Sequence, residues 1–98
     1  MARKIVIQGP APADRGRTFI LKAQLRIGRH PTNYVSVSDN AVSRRHAAIL
    51  FRQGTVLVCD LGSSNGTYVN GRRISGEQPL NAGDVVRVGS TELAYRDA

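Results

Sequence analysis

Ala47-Ala48-Ile49-Leu50-Phe51-Arg52-Gln53-Gly54-Thr55-Val56-Leu57-Val58-Cys59-Asp60 decides the fold. Two short apolar runs, 47–52 and 55–60, flank Gln53-Gly54. Neither run is long enough for a helix of useful length, and the dipeptide between them suits a two-residue turn, so the stretch predicts a β-hairpin. That pairing constrains the chain on both sides. The turn occupies one end of the hairpin. The segment that enters it, Asp39 to Arg45, and the segment that leaves it, Leu61 to Gly66, must meet at the other end. Spacing alone therefore brings Ser43-Arg44 close to Ser64-Asn65.

Outward from this hairpin the same texture continues. Lys4 to Gln8 alternates as a first strand, followed by a Pro/Gly-rich loop from Gly9 to Gly16. Thr18 to Leu21, Gln24 to Ile27 and Val35 to Ser38 read as further short strands. Thr67 to Val69 and Arg72 to Ile74 flank Asn70-Gly71, a strong hairpin dipeptide because both positions tolerate positive φ. Asp84 to Val88 and Thr91 to Tyr95 flank Gly89-Ser90, a third hairpin. No stretch carries a helical period, a repeat or low complexity. Some ten short strands in 98 residues predict an all-β sandwich or barrel. Simple up-and-down alternation sends the loop of Arg29 to the end opposite Ser43, unless the strand at Val35 is very short.

Ninety-eight residues hold one core, and 41% hydrophobic content is ordinary for a globular domain. No apolar run approaches the ~20 residues that cross a bilayer, so no membrane insertion is expected. The start of the chain shows no signal-peptide pattern, which points to an intracellular, cytoplasmic setting. For the same reason Asn65-Gly66-Thr67 is discounted as a glycosylation sequon. Cys59 is alone and inside an apolar run, so it reads as an inert core thiol. Neither Cys59 nor the two histidines has metal-ligand spacing; no metal and no cofactor are expected. The net charge is +7, from 14 basic and 7 acidic residues, and 12 of the cations are Arg. That balance favours an anionic partner.

Four turns carry the candidate chemistry: Gly28-Arg29, Ser43-Arg44-Arg45-His46, Gly62-Ser63-Ser64-Asn65-Gly66-Thr67 and Asn70-Gly71. Arg offers a planar fork of donors to phosphate oxygens. Ser adds a hydroxyl donor, and Asn can clamp a peptide main chain. Hydrogen bonds to a charged group are worth roughly 1.5–3 kcal/mol each. Three or four of them reach micromolar affinity, which needs about 8 kcal/mol.

Gly28-Arg29-His30-Pro31-Thr32-Asn33, Asp39-Asn40-Ala41-Val42-Ser43-Arg44-Arg45-His46-Ala47, Asp60 to Gly71 and Leu80 to Gly89 together resemble the forkhead-associated (FHA) domain family. Each block is weak alone; all four in this order are specific. The resemblance covers residues 4–95, leaving short tails at 1–3 and 96–98. It implies an FHA-like sandwich of two twisted sheets with about 11 strands, binding phosphothreonine peptides through loops at one end. It also implies that the loop of Arg29 lies at that end. Carried over position by position, Arg29 and Ser43 would contact the phosphate, Arg44 or its backbone and the Ser64 hydroxyl would add to the cradle, and Asn65 would hold the peptide main chain; Arg45 could share the role of Arg44. Gly28, His46, Gly66, Asn70 and Gly71 would be structural supports. Arg45 and Tyr34 fill positions that the family leaves variable, and Ser64 stands where many members have Thr. The implied partner is a phosphothreonine protein, the substrate of a Ser/Thr kinase, bound by a monomer. Neither tail holds a Thr, so no internal phosphothreonine ligand is expected from them, and the chain reads as a module of a longer protein.

Other classes fit less well. Gly62-Ser63-Ser64-Asn65-Gly66 matches a nucleophile elbow on paper, but that motif needs a helix after it, and a strand and hairpin follow here. The same stretch lacks the Lys and spacing of a P-loop. No acid or oxyanion hole accompanies Ser43 and His46, so an enzyme is not expected. The basic charge suits nucleic acid, but the five aromatics form no stacking platform. A phospho-independent scaffold is the other alternative.

Overall fold

The computed structural model describes residues 3–97. Eleven strands follow in chain order: β1 (Arg3–Gly9), β2 (Thr18–Ile20), β3 (Gln24–Gly28), β4 (Val35–Ser36), β5 (Ala47–Arg52), β6 (Thr55–Asp60), β7 (Thr67–Val69), β8 (Arg72–Arg73), β9 (Glu77–Leu80), β10 (Val85–Val88) and β11 (Thr91–Asp97). They form a six-stranded sheet, β2-β1-β11-β10-β7-β8, and a five-stranded sheet, β4-β3-β5-β6-β9. No helix occurs among the described residues.

The period of two explains the packing. Alternate residues of one sheet, among them Ile5, Ile7, Val86, Val88, Leu93 and Tyr95, face Leu25, Ile27, Ile49, Val56, Val58 and Leu80 of the other in one core. The β5–β6 hairpin forms in the expected register, Ala47 opposite Asp60 and Arg52 opposite Thr55. Its turn residues Gln53 and Gly54 have φ of 53° and 78°, and Asn70 and Gly71 of the β7–β8 hairpin have 50° and 84°. Both pairs match the mirror-image turn that follows strand twist.

Three differences from the sequence reading matter. The strand at Val35 has two residues, not four, and pairs parallel to β3, Ile27 beside Val35. The chain leaves Gly28, turns back through 29–34 and leaves β4 again in the same direction. The loop of Arg29 is therefore at the end where Ala47 and Asp60 meet, and up-and-down alternation does not apply. Second, β9 is unforeseen, because Pro79 lies within it; it sits at a sheet edge, where a missing amide is tolerated. Third, the terminal strands pair with each other from Arg3 opposite Asp97 inward, which draws Arg3, Arg96 and Asp97 out of the expected tails into the sheet.

Ile49 is fully buried at the centre of this core. Ile49→Ala should cost about 2–5 kcal/mol in urea unfolding. Ile20→Ala, at a position that is 46% exposed, should stay within about 0.5 kcal/mol.

Candidate functional site

Three loops converge at one end of the sandwich: 29–34, 37–46 and 61–66. Between them lies a groove of about 710 Å³ lined by Arg29, His30, Thr32, Ser43, Arg44, Arg45, Gly62 and Ser64. Four of the five expected contact residues thus share one surface. Asn65 lies beside it, exposed, with its Nδ2 donating to the Ala41 carbonyl at 2.8 Å. Asn70 and Gly71 lie at the other end of β7, away from the groove. Asn70 braces the start of β10 there, through Asp84 Oδ1 and the Val85 amide.

His46 is fully buried beneath the loops. Its Nδ1 accepts from the Ser43 amide at 3.0 Å, which leaves the proton on Nε2, and Nε2 donates to the Gly66 carbonyl at 2.8 Å. Its backbone amide donates to Ile27, and its carbonyl accepts from Leu61. One residue so ties the 37–46 and 61–66 loops to each other and to the end of β3. Gly28 meets a different demand. A Cβ there would overlap the Arg44 carbonyl oxygen and lie 2.6 Å from Asn33 Nδ2. Gly66 meets a backbone demand instead, a φ of +86° that side chains with a Cβ rarely adopt.

The groove side chains are oriented from below. The Arg29 amide donates to the Ser43 carbonyl, and its Nε donates to the Val42 carbonyl at 3.0 Å. The two terminal guanidinium nitrogens have no partner among the described residues. The Ser43 hydroxyl accepts from the Ser64 amide at 3.1 Å, so its own proton is free to donate outward. Arg44 and Arg45 are exposed, and neither forms an ion pair among the described residues. Among the described residues no acidic side chain lines the groove. The arrangement can hold a compact dianion with charge-assisted bonds.

Three supports escaped the sequence reading. Asn33, buried, donates from Nδ2 to the carbonyls of His30 and Arg44 at 2.8 and 2.6 Å. Asp39 accepts from the Ala41 and Ser90 amides and the Thr91 hydroxyl, joining the 37–46 loop to the β10–β11 turn. Asp60 accepts from the Gly62 and Ser63 amides and the Ser63 and Thr67 hydroxyls. Aspartate followed by Ser or Gly two or three residues on is the turn signal that marks Asp60; Asp39 reaches 51 and 52 residues along the chain, which no local pattern encodes.

Burial pushes both carboxyls up, but these hydrogen bonds outweigh it. For Asp39 they come from the Thr91 hydroxyl and the Ala41 and Ser90 amides; for Asp60, from the Ser63 and Thr67 hydroxyls and the Ser63 and Gly62 amides. Both carboxyls titrate below the ordinary 3.8.

The two sheets and their three-loop groove define a β-sandwich module whose positively charged groove is carried on loops. The chain belongs to the FHA domain family, whose model matches residues 25–89. The oxoglutarate dehydrogenase inhibitor of Corynebacterium efficiens is 38% identical over 92 residues, covering 93% of this chain and 62% of that protein. The glycogen accumulation regulator GarA of Mycolicibacterium smegmatis is 37% identical over 92 residues, covering 93% and 56%. The chain thus spans about six-tenths of the length of these curated relatives. An FHA domain solved in a study of phosphothreonine-dependent FHA interactions superposes with a TM-score of 0.87 at 32% identity, covering 100% of this chain and 98% of that one.

Two outcomes check the scaffold. His46→Ala removes both ring bonds and strands a buried amide and carbonyl; chemical denaturation should show a loss of about 2–4 kcal/mol. The aspartates set the acid limit. A carboxyl with a depressed folded pKa stabilises above its unfolded value, and that stability is lost as pH falls through the folded value. The urea midpoint should hold from pH 7 to about 5 and fall below about pH 4. Asp60→Asn should cost about 1–2 kcal/mol at pH 7 and flatten the acid limb.

Proposed function

We propose that the chain is a phosphothreonine-peptide recognition module that mediates phosphorylation-dependent protein–protein interaction. Arg29, Ser43, Arg44 and Ser64 hold the phosphate, and Asn65 holds the peptide main chain beside it. One observation carries the reading. Arginines with no carboxylate partner among the described residues share a groove with a Ser43 hydroxyl whose lone pair already serves Ser64, leaving its proton to donate. A phosphate ester brings about −1.5 to −2 charges and three acceptor oxygens, the complement of that donor set. The family's own phosphothreonine-dependent interactions support it.

The partner is a protein phosphorylated by a Ser/Thr kinase, and the module binds it as a monomer in the cytoplasm. The role is regulatory rather than catalytic, in keeping with relatives named as an inhibitor and a regulator. Among the described residues no helix is long and apolar enough to cross a membrane.

Calorimetry with matched peptides tests this. A phosphothreonine peptide should bind in the micromolar range, its unphosphorylated twin at least 100-fold more weakly, and phosphoserine in between. Arg29→Ala should lower affinity at least tenfold with an unchanged fold by circular dichroism, as expected from losing bonds worth roughly 1.5–3 kcal/mol each. Affinity should also fall below about pH 6, as the phosphate takes up its second proton. Equal affinity for the phosphorylated and plain peptides would refute the reading.

A further inference from the structure

Adjacent carbonyls of one short turn orient two side chains of the loop end. Arg29 Nε donates to the Val42 carbonyl at 3.0 Å, and Asn65 Nδ2 donates to the Ala41 carbonyl at 2.8 Å. Held at Nε, the Arg29 fork keeps both terminal nitrogens for a ligand. The two carbonyls belong to the turn Asp39-Asn40-Ala41-Val42, which the Val42 amide closes by donating to the Asp39 carbonyl at 3.0 Å. Arg29 comes from the 29–34 loop and Asn65 from the 61–66 loop, so one turn of the third loop aims both.

The Asp39 side chain fixes that turn from two directions. Its Oδ1 accepts from the Ala41 amide at 2.9 Å, within the turn. Its Oδ2 accepts from the Ser90 amide at 2.9 Å and the buried Thr91 hydroxyl at 2.8 Å, which ties the turn to the start of β11 in the other sheet. The joint is closely packed. A Cβ on Gly89 would lie 2.9 Å from Val42 Cγ2, 3.0 Å from Asp39 Oδ2 and 3.1 Å from the Ala41 carbonyl carbon. Asp39 itself does not line the groove. An Asn side chain has a single acceptor oxygen, so in its place it could serve the Ala41 amide or the Ser90 amide but not both.

We propose that Asp39 is a positioning residue for phosphopeptide binding: its clasp on the β10–β11 turn sets the two carbonyls that aim Arg29 and Asn65. The proposal rests on the phosphothreonine reading above. With the clasp open, the ligand must order both side chains itself, at about two- to tenfold in affinity for each. The sign of the effect is diagnostic. Asp39→Asn removes a negative charge from the loop end, which on charge alone strengthens binding of an anion. Positioning predicts the opposite, a weaker complex.

The test is calorimetric titration of one phosphothreonine peptide, at a temperature where each variant is fully folded by circular dichroism. Asp39→Asn should weaken binding about tenfold. Thr91→Val removes only the hydroxyl on the far side of the clasp and should weaken binding about threefold. The double variant should bind no more weakly than Asp39→Asn alone, because both changes open the same clasp. In ¹⁵N-edited spectra of the free protein, the Arg29 Nε–H and Asn65 side-chain amide signals should shift in both single variants. Ile49→Val loosens the core away from the groove, and it should lower the melting temperature while binding as the parent does. Asp39→Asn binding as tightly as the parent, or more tightly, overturns the proposal, because charge alone then governs. A loss matched by Ile49→Val overturns it as well, since the effect is then general loosening. So does a loss that leaves the Arg29 and Asn65 side-chain signals unmoved, or losses that multiply in the double variant. If Asp39→Asn does not fold, Thr91→Val and its spectra decide by the same criteria. A parent protein that binds no phosphothreonine peptide overturns the underlying reading instead.

Discussion

The buried imidazole of His46 is the interaction on which the rest of the loop end depends. Its two ring nitrogens face opposite ways and satisfy one donor and one acceptor, the Ser43 amide and the Gly66 carbonyl. Gly66 leads into β7 of one sheet, and Ser43 leads into β5 of the other. The residue thus staples the two sheets at the point where the loops leave them. No aliphatic residue could fill the same space without leaving two polar groups unpaired and dry. The fixed Ser43 then presents a carbonyl to the Arg29 amide and a hydroxyl to the Ser64 amide, so three of the groove's donors inherit their positions from one ring.

The charges divide between two tasks. Asp14, Asp39, Asp60 and Asp84 all accept from backbone amides, and each fixes a turn or joins two loops. The arginines are left over. Among the described residues only Arg17 and Arg52 form salt bridges, with Asp14 and Glu77. Others lie over aromatic rings on the flanks: Arg3 over Phe51 and Arg87 over Tyr68. Placing aspartate inside the turns and arginine around the groove keeps the loop end positive, with the carboxylates beneath it held by amides and hydroxyls. No buried side-chain nitrogen or oxygen lacks a partner among the described residues.

Much of this was legible in the residues. The 47–60 hairpin was readable because its alternation, its turn dipeptide and its length agree, and it brought the loops of Ser43 and Ser64 together without help. Arg29 was not readable in that way. Its loop depends on a two-residue strand running parallel to its neighbour, too short for any periodic signal; the family resemblance supplied the placement. β9 was hidden by Pro79, which reads as a strand breaker and is harmless only at an edge. The supports showed the same limit of range. Asp60 bonds within seven residues and announces itself as a turn, whereas Asp39 and Asn33 act through contacts set by the folded chain.

A ligand held by the loop end of the sandwich, around the His46 staple, must perturb the residues of that end first. The most direct measurement is a ¹⁵N-edited NMR titration with a phosphothreonine peptide. The account predicts that the largest shifts fall on the amides of Arg29, Ser43, Arg44, Ser64 and Asn65 and on the Arg29 side-chain Nε–H, with the Gln53-Gly54 and Asn70-Gly71 turns unmoved. Shifts concentrated on a sheet face or at the opposite turns, with the Arg29 and Ser43 signals unmoved, would contradict it.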